Sequence, residues 1–475
     1  MIIQSNLDHI LHSTKNVIYP LYEDSLVSGR IQDAIGYDLK EEVNRELGKV
    51  TVIHTLGKLG FKKFYFVGLG KESHINAAKI LKAFGHVSNA LKEDEAVIDI
   101  NRMITEGFDL HQLASLFSEA FVTATYEFTK IGGTAKKIAN IQVMASEDIT
   151  ADLEKGVMIG EAINHARDIG NMPSNYMNPK DLAEYAENLA KECGLEVHIL
   201  TNKELKEMGA GGILTVNQGS NIEARLIVLQ YNGDGDAPYT ALIGKGLTFD
   251  SGGYNLKPSS SMTTMKSDLC GGANVLSAME IIAKRKLKAN VYAIVPATEN
   301  KISDSAYTTD DVIVSLSKKT VEVTNTDAEG RLILMDAITY AQQLGAKRIV
   351  DIATLTGAVI VALGKTFTGT FSNSETFFEE FLTSAGNNNE KIWRLPLDED
   401  YHEMIKTSEV ADIVNSVGGG AGSSVAACFL EEFIEDGTEW IHLDIAGTSY
   451  DVASNDLAPK GATGAMVKTM AGLFE

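Results

Sequence analysis

Unbroken apolar runs of strand length alternate with apolar positions at helical spacing along almost the whole chain. Residues 64–69 (FYFVGL) read as a buried strand and 77–91 as a helix. Residues 96–100 and 141–145 are further predicted strands, with a helix over 110–123 between them. This alternation predicts an α/β unit around a central sheet. The polar, acidic stretch 146–153 (SEDITADL) interrupts it and marks a boundary. A helical segment then runs to about residue 168, and GNMPSNYMNP at 170–179 gathers the Gly, Pro and Asn of a structured loop.

The second half repeats the theme. Helices are predicted at 182–193, 273–286, 332–344 and 424–433. Strands are predicted at 196–200, 239–243, 290–296, 348–354 and 440–445. Strand–helix repetition of this kind predicts a mostly parallel sheet covered by helices. The expected organisation is therefore α/β throughout: an N-terminal α/β domain over 1–150 and a larger α/β domain over 151–475. A connecting helix is expected at about 151–168.

Composition narrows the class. The chain has 475 residues, 44% apolar and 22% charged, enough to bury a substantial core. A formal net charge of −22 disfavours nucleic acid and anionic membrane as main partners. Cys193, Cys270 and Cys428 are far apart and odd in number, which predicts a reducing compartment and no disulfide framework. The N-terminal residues lack the pattern of a signal peptide, and no apolar stretch approaches membrane-spanning length. A cytoplasmic protein is expected.

Several catalytic signatures fail on inspection. Gly364-Lys365-Thr366 resembles the end of a phosphate-binding loop, but Val359 stands where its first glycine is needed. His402-Glu403 opens like HExxH, yet position 406 is Lys406. No G-x-S-x-G elbow is present.

The informative region spans 241–332. Lys245 and Asp250 follow the apolar run ALIG, Asp268 precedes a helix, and Asp327 and Glu329 stand two apart before another helix. In an extended segment, positions i and i+2 project to one side, so Asp327 and Glu329 are expected to face one ligand together. Open parallel sheets place their sites where strands end and helices begin. Four converging carboxylates need compensation, and two divalent cations supply it. Spacing alone does not settle this. With 64 acidic residues in 475, chance yields about nine acid-x-acid pairs. Taken singly, Lys245 and Lys257 read as surface lysines, Asp250 as a turn residue, and Arg331 as a helix-start arginine paired with a carboxylate.

NTDAEGRL at 325–332 resembles the signature of the leucyl aminopeptidase (cytosol aminopeptidase) family. VGLGK at 67–71, ARDIGNMPSNYMNP at 166–179, KGLTFDSGGYNLKP at 245–258, DIATLTGA at 351–358 and HLDIAGT at 442–448 resemble the same family. The resemblance implies a metallo-exopeptidase acting on peptides with a free amino terminus, preferring leucine-like residues. It implies two divalent cations per subunit, Mn or Zn foremost, with Mg or Co as alternatives. Asp250 and Glu329 would bridge both, Asp327 complete one site, and Lys245 and Asp268 the other. Lys257 would stabilise the oxyanion, and Arg331 would hold a bicarbonate-type anion that relays a proton. Met265, Thr354, Gly357 and Ala446 would line the first side-chain pocket, with Ser449 near it. The resemblance also implies a homohexamer. Two-metal phosphoester hydrolysis and DNA binding are the competing readings; Lys245 among the ligands disfavours the first, and net charge disfavours the second.

Overall fold

The computed structural model describes residues 10–36, 38–92, 94–134, 140–451 and 457–475. The chain divides into two compact units. One contains the chain up to Asn164 and a short C-terminal segment ending at Lys460; the other contains the chain from His165 onward apart from that segment. The division falls within the helix Thr150–Asn171.

The first unit is built on five strands in the order Val50–His54, Lys63–Gly68, Asn16–Leu21, Ala96–Asp99 and Ile141–Met144. Only the Val50–His54 edge runs antiparallel. Alternate residues face opposite layers, as the two-residue strand period requires. Ile18, Tyr65, Val67 and Ile98 pack with the helices Ala77–Leu91 and Leu110–Ala124. Val17, Tyr19, Phe64 and Phe66 pack on the other side with Ile31 and Ile35. The helices begin with side-chain caps from Asn76 and Asp109, which satisfy first-turn N–H groups.

The second unit carries a nine-stranded sheet. Its centre is Glu439–Asp444, Arg348–Ala353, Tyr239–Gly244 and Asn290–Asn300, all mutually parallel. These strands are apolar and almost wholly buried, as a sheet covered on both faces demands. Antiparallel strands Arg225–Asn232 and Glu196–Leu200 extend one side. Thr368–Ser372, antiparallel to Glu439–Asp444, extends the other and pairs in turn with Ile392–Arg394. The short strand Gly246–Asp250 prolongs the direction of Tyr239–Gly244 beside the far end of Asn290–Asn300.

Two helices that follow these strands start earlier than the apolar pattern predicts. One spans Cys270–Lys284 and the other Glu329–Gln343. Their first turns are glycine-bearing and lie against strand ends, so polar and small residues there belong to the helix. The close approach is visible at Gly271: a Cβ there would stand 2.2 Å from the Ile352 carbonyl oxygen. Only glycine lets the helix start touch the sheet at that point.

Candidate active site

The C-terminal ends of the parallel strands collect the polar residues singled out above. Lys245 directly follows Tyr239–Gly244, and its backbone N–H donates to the Ile352 carbonyl at 3.0 Å. Asp250 ends its strand; Asp268 lies in the short 3-10 segment Met265–Leu269; Glu329 opens its helix. Asp327 and Glu329 are not in an extended segment, contrary to expectation. Asn325 Oδ1 accepts from the Asp327 N–H at 2.8 Å, turning the chain into the helix that starts at Glu329. Convergence comes from this turn rather than from strand periodicity.

The segment after Asp250 folds back on itself. Gly252 sits at φ +85° and Gly253 at φ +63°, where a Cβ is costly. Thr326 Oγ1 donates to the Gly252 carbonyl at 2.7 Å and accepts from the Asn255 N–H at 2.8 Å. Asn255 Oδ1 accepts from the Thr326 N–H at 2.8 Å. These bonds lock the Asp250 loop to the Asp327 turn.

Oxygen atoms of Asp250, Asp327 and Glu329 all lie within 4.8 Å of one another. Lys245 Nζ stands 2.8 Å from Asp268 Oδ2 and 2.9 Å from Glu329 Oε1. Lys257 Nζ stands 2.7 Å from Asp250 Oδ2 and 2.5 Å from Asp327 Oδ1. Neither lysine is a surface residue: Lys245 is buried and Lys257 nearly so. Burial opposes the ammonium form at Lys245, but the charges of Asp268, Glu329 and Asp250 outweigh it and hold its pKa above the ordinary value. Lys257 is raised in the same way against burial, chiefly by Asp250 and then Glu329. The carboxyls of Asp268, Asp327 and Glu329 are all pushed up, first by burial and also by the charge of Asp250, against the lowering pull of the lysines. The protein's own groups thus move Lys245 in the direction opposite to the one a nearby divalent cation would impose.

The donor set fits divalent cations. Four carboxylates face two ammonium groups, and oxygen-rich sites suit hard cations. Glu329 Oε2 is buried without a hydrogen-bond partner. Asp268 Oδ2 and Asp327 Oδ1 touch their lysines but accept no well-directed hydrogen bond. Unsatisfied buried acceptors of this kind require explanation, and a bound cation is one.

These residues floor a cavity of about 400 Å³. Met265, Thr354, Gly357, Ala446 and Ser449 all line it, together with Lys245, Asp250, Lys257, Asp268, Asp327 and Glu329. The lining is more polar than the family pocket implied, because Ser260, Ser261, Thr263 and Thr264 contribute hydroxyl-bearing residues. Arg331 is not among the lining residues. It is buried, its Nη1 donates to the Asn415 carbonyl at 2.6 Å, and its Nε has no hydrogen-bond partner. Burial lowers its pKa to about 10, against the opposing charges of Glu329 and Asp444.

Several supporting residues escaped the sequence reading. Asn300 Nδ2 donates to Asp250 Oδ1 at 2.8 Å and to the Thr326 carbonyl at 3.0 Å. Asn415 Oδ1 accepts from the Thr324 N–H at 2.8 Å while its Nδ2 donates to the Asn325 carbonyl at 2.7 Å. Tyr307 Oη donates to the Thr326 carbonyl at 2.8 Å. Asn300 ends an apolar strand, which was the one available signal; nothing local marks Asn415 or Tyr307.

Carboxylates, lysines and an adjoining cavity at the ends of parallel strands define, by class, the centre of a metal-dependent hydrolase. The profile described as "Cytosol aminopeptidase family, catalytic domain" matches residues 164–471, and that described as "Cytosol aminopeptidase family, N-terminal domain" matches residues 26–131. Among solved structures, "Bottromycin maturation enzyme BotP" superposes with a TM-score of 0.88 at 28% sequence identity, covering 97% of this chain and 99% of that one. The same figures hold for "Bottromycin maturation enzyme BotP in complex with Mn". The chain belongs to the cytosol aminopeptidase family. Membership makes it a peptidase of the metallo-aminopeptidase class. Among the described residues, no helix is long and apolar enough to cross a membrane.

Proposed function

We propose that the protein removes the N-terminal residue, preferentially a leucine-like one, from peptides with a free amino terminus, using two divalent cations. The observation that carries this reading is the meeting of Asp250, Asp327 and Glu329 oxygens within 4.8 Å, with Glu329 Oε2 unpartnered, at the floor of the cavity. Asp250, Asp327 and Glu329, with Lys245 and Asp268 beside them, would hold the cations. Manganese or zinc is the expected ion, with magnesium or cobalt as alternatives; the manganese complex of BotP supports manganese. When bound, such a pair activates water and polarises a carbonyl.

The chain's own residues do the rest. Lys257 presents its ammonium group to the cavity, where it is matched to negative charge developing on the scissile carbonyl oxygen. Arg331 is assigned, on the family resemblance, to hold a bicarbonate-type anion that serves as proton relay; it is buried and outside the cavity lining, so this role requires its side chain to turn toward the cavity. Thr354 Oγ1 donates to Asp268 Oδ1 at 2.6 Å, fixing that carboxylate at the pocket edge. Met265, Gly357 and Ala446 supply apolar contact to the first side chain. Assembly as a homohexamer and a cytoplasmic location complete the proposal. The test is release of leucine from a leucyl peptide before chelation, after it, and after Mn²⁺ is restored. Full activity in protein shown by elemental analysis to be metal-free would overturn the reading.

A further inference from the structure

A second cluster of ligand-type side chains, apart from the carboxylate centre, comes from residues 402–431. His402 belongs to the helix Glu399–Ile405, while Cys428 and Glu431 lie three apart on the helix Gly422–Glu431, a spacing that puts both on one face. One ligand atom from each of His402, Cys428 and Glu431 lies within 4.8 Å of the others. His402 Nε2 is 2.9 Å from Glu431 Oε2, and His402 Nδ1 is 3.0 Å from Glu432 Oε1. Glu432 is in turn held by Lys319 Nζ at 2.6 Å. Cys428 is buried and points to the Asp398 carbonyl, with Sγ 4.0 Å from the oxygen.

We propose that His402, Cys428 and Glu431 form a zinc site separate from the carboxylate centre, with Glu432 orienting the histidine. Imidazole, thiolate and carboxylate together suit Zn²⁺ and disfavour Mg²⁺ or Mn²⁺. Ligand bonds of about 2.0–2.3 Å in a tetrahedron place ligand atoms about 3.4–3.8 Å apart, so small rotations of the three side chains close the site. The imidazole is already arranged for it. Its two ring nitrogens face Glu432 and Glu431; with an ion bound, Nδ1–H donating to Glu432 would leave Nε2 as the ligand, the carboxylate–histidine–metal pattern that fixes a ligand's tautomer. Lys319 keeps Glu432 in that outer role by occupying Oε2. On binding, Cys428 gives its thiol proton to solvent and coordinates as the thiolate. The ion would tie the two helices together at a half-buried position, with a water completing the fourth place.

The test uses the full chain, stripped with a chelator and titrated with Co²⁺. A thiolate ligand gives cobalt a sulfur-to-metal charge-transfer band in the near ultraviolet, which oxygen and amine donors do not. The band is expected in the parent protein and absent in Cys428→Ser. His402→Gln should weaken cobalt binding by more than tenfold, and Glu432→Gln by about tenfold or more. Zinc-loaded Cys428→Ser should carry one ion fewer per subunit than the parent, with peptidase activity retained in both. Should Cys428→Ser fail to fold, the His402→Gln titration decides. A cobalt spectrum and zinc content unchanged in these variants would overturn the proposal and leave His402 as the centre of a plain ion-pair cluster.

Discussion

Replacing Lys257 by alanine separates two roles that share one pocket. The ammonium group touches Asp250 at 2.7 Å and Asp327 at 2.5 Å, so its loss removes the positive charge from two carboxylates at once. If Lys257 acts on the developing oxyanion, kcat should fall by about 10²–10³, roughly 3–4 kcal/mol of transition-state stabilisation. Metal retention should not fall. The variant presents the same carboxylates with one competing cation fewer, and binding of Mn²⁺ should hold or strengthen. Stability should respond in the opposite sense in the stripped protein. Asp250 would be left buried beside an emptied position, and breaking a buried pair costs about 3–5 kcal/mol. Stripped Lys257→Ala should therefore melt well below stripped parent protein, and added Mn²⁺ should recover most of the difference. Asp250→Ala supplies the contrast, since it should lose both activity and bound metal. Turnover, bound metal and melting temperature can be measured on the same preparations. Near-normal kcat in Lys257→Ala would refute the oxyanion role, and loss of metal to the level of Asp250→Ala would put Lys257 among the ligands.

Three further outcomes are expected. An N-acetylated leucyl peptide should resist cleavage under conditions where the free peptide is consumed, as chromatography of the products would show; equal rates would exclude an exopeptidase. Gly252→Ala should destabilise the protein by about 1–3 kcal/mol in denaturant melts and depress activity, because φ is +85° and the new Cβ would meet Asp327 Oδ1 at 2.9 Å. Glu280→Gln should cost more stability at pH 6 than at pH 9. Its hydrogen bond at 2.8 Å raises the pKa of His165, and the folded-state gain is present below the unfolded histidine value and lost as pH rises through the raised one. At Glu280 itself, burial is the largest influence and raises the pKa, but the hydrogen bonds and charges of His165 and Lys284 together outweigh it and the pKa is lowered; that gain is lost only as pH falls through the lowered value. The contrast therefore sits on the alkaline side of the histidine, and a pH-independent cost would show that the pair does not titrate as the geometry requires.

The apolar pattern carried most of the architecture. The helix Ala77–Leu91 and the strand Glu196–Leu200 have the limits read from periodicity. The strand Asn16–Leu21 was not among the predicted elements, and it carries Pro20, a residue that internal strands rarely hold. Its pairing with Ala96–Asp99 involves only Asn16, Val17 and Ile18, so the missing N–H of Pro20 falls beyond that neighbour. Gly246–Asp250 was hidden inside a glycine-rich segment, and Arg225–Asn232 lies in a stretch that the strand–helix alternation passed over. At the site, periodicity could bring Asp250, Asp268 and Glu329 to strand and helix ends but not to one another. That step came from the resemblance of the NTDAEGRL segment. Asp327 and Glu329 do come together, but by a different cause from the one expected, because a hydrogen-bonded turn at Asn325 does the work assigned to a strand. The amides of Asn300 and Asn415 were illegible, since a buried Asn looks in sequence like any loop Asn until its partners are known.

The contact at Gly271 has a consequence for remodelling the protein. The carbonyl of Ile352 that a Cβ would strike also accepts from the N–H of Lys245, so any side chain there would push on the strand end that aims the lysine. Variation at that seam is closed even to alanine. The segment Ser259–Thr264 is different: Ser260, Ser261, Thr263 and Thr264 border the cavity with small hydroxyl-bearing side chains, three of them exposed. Libraries meant to change which residue is accepted have room to explore there, while the seam beneath stays fixed.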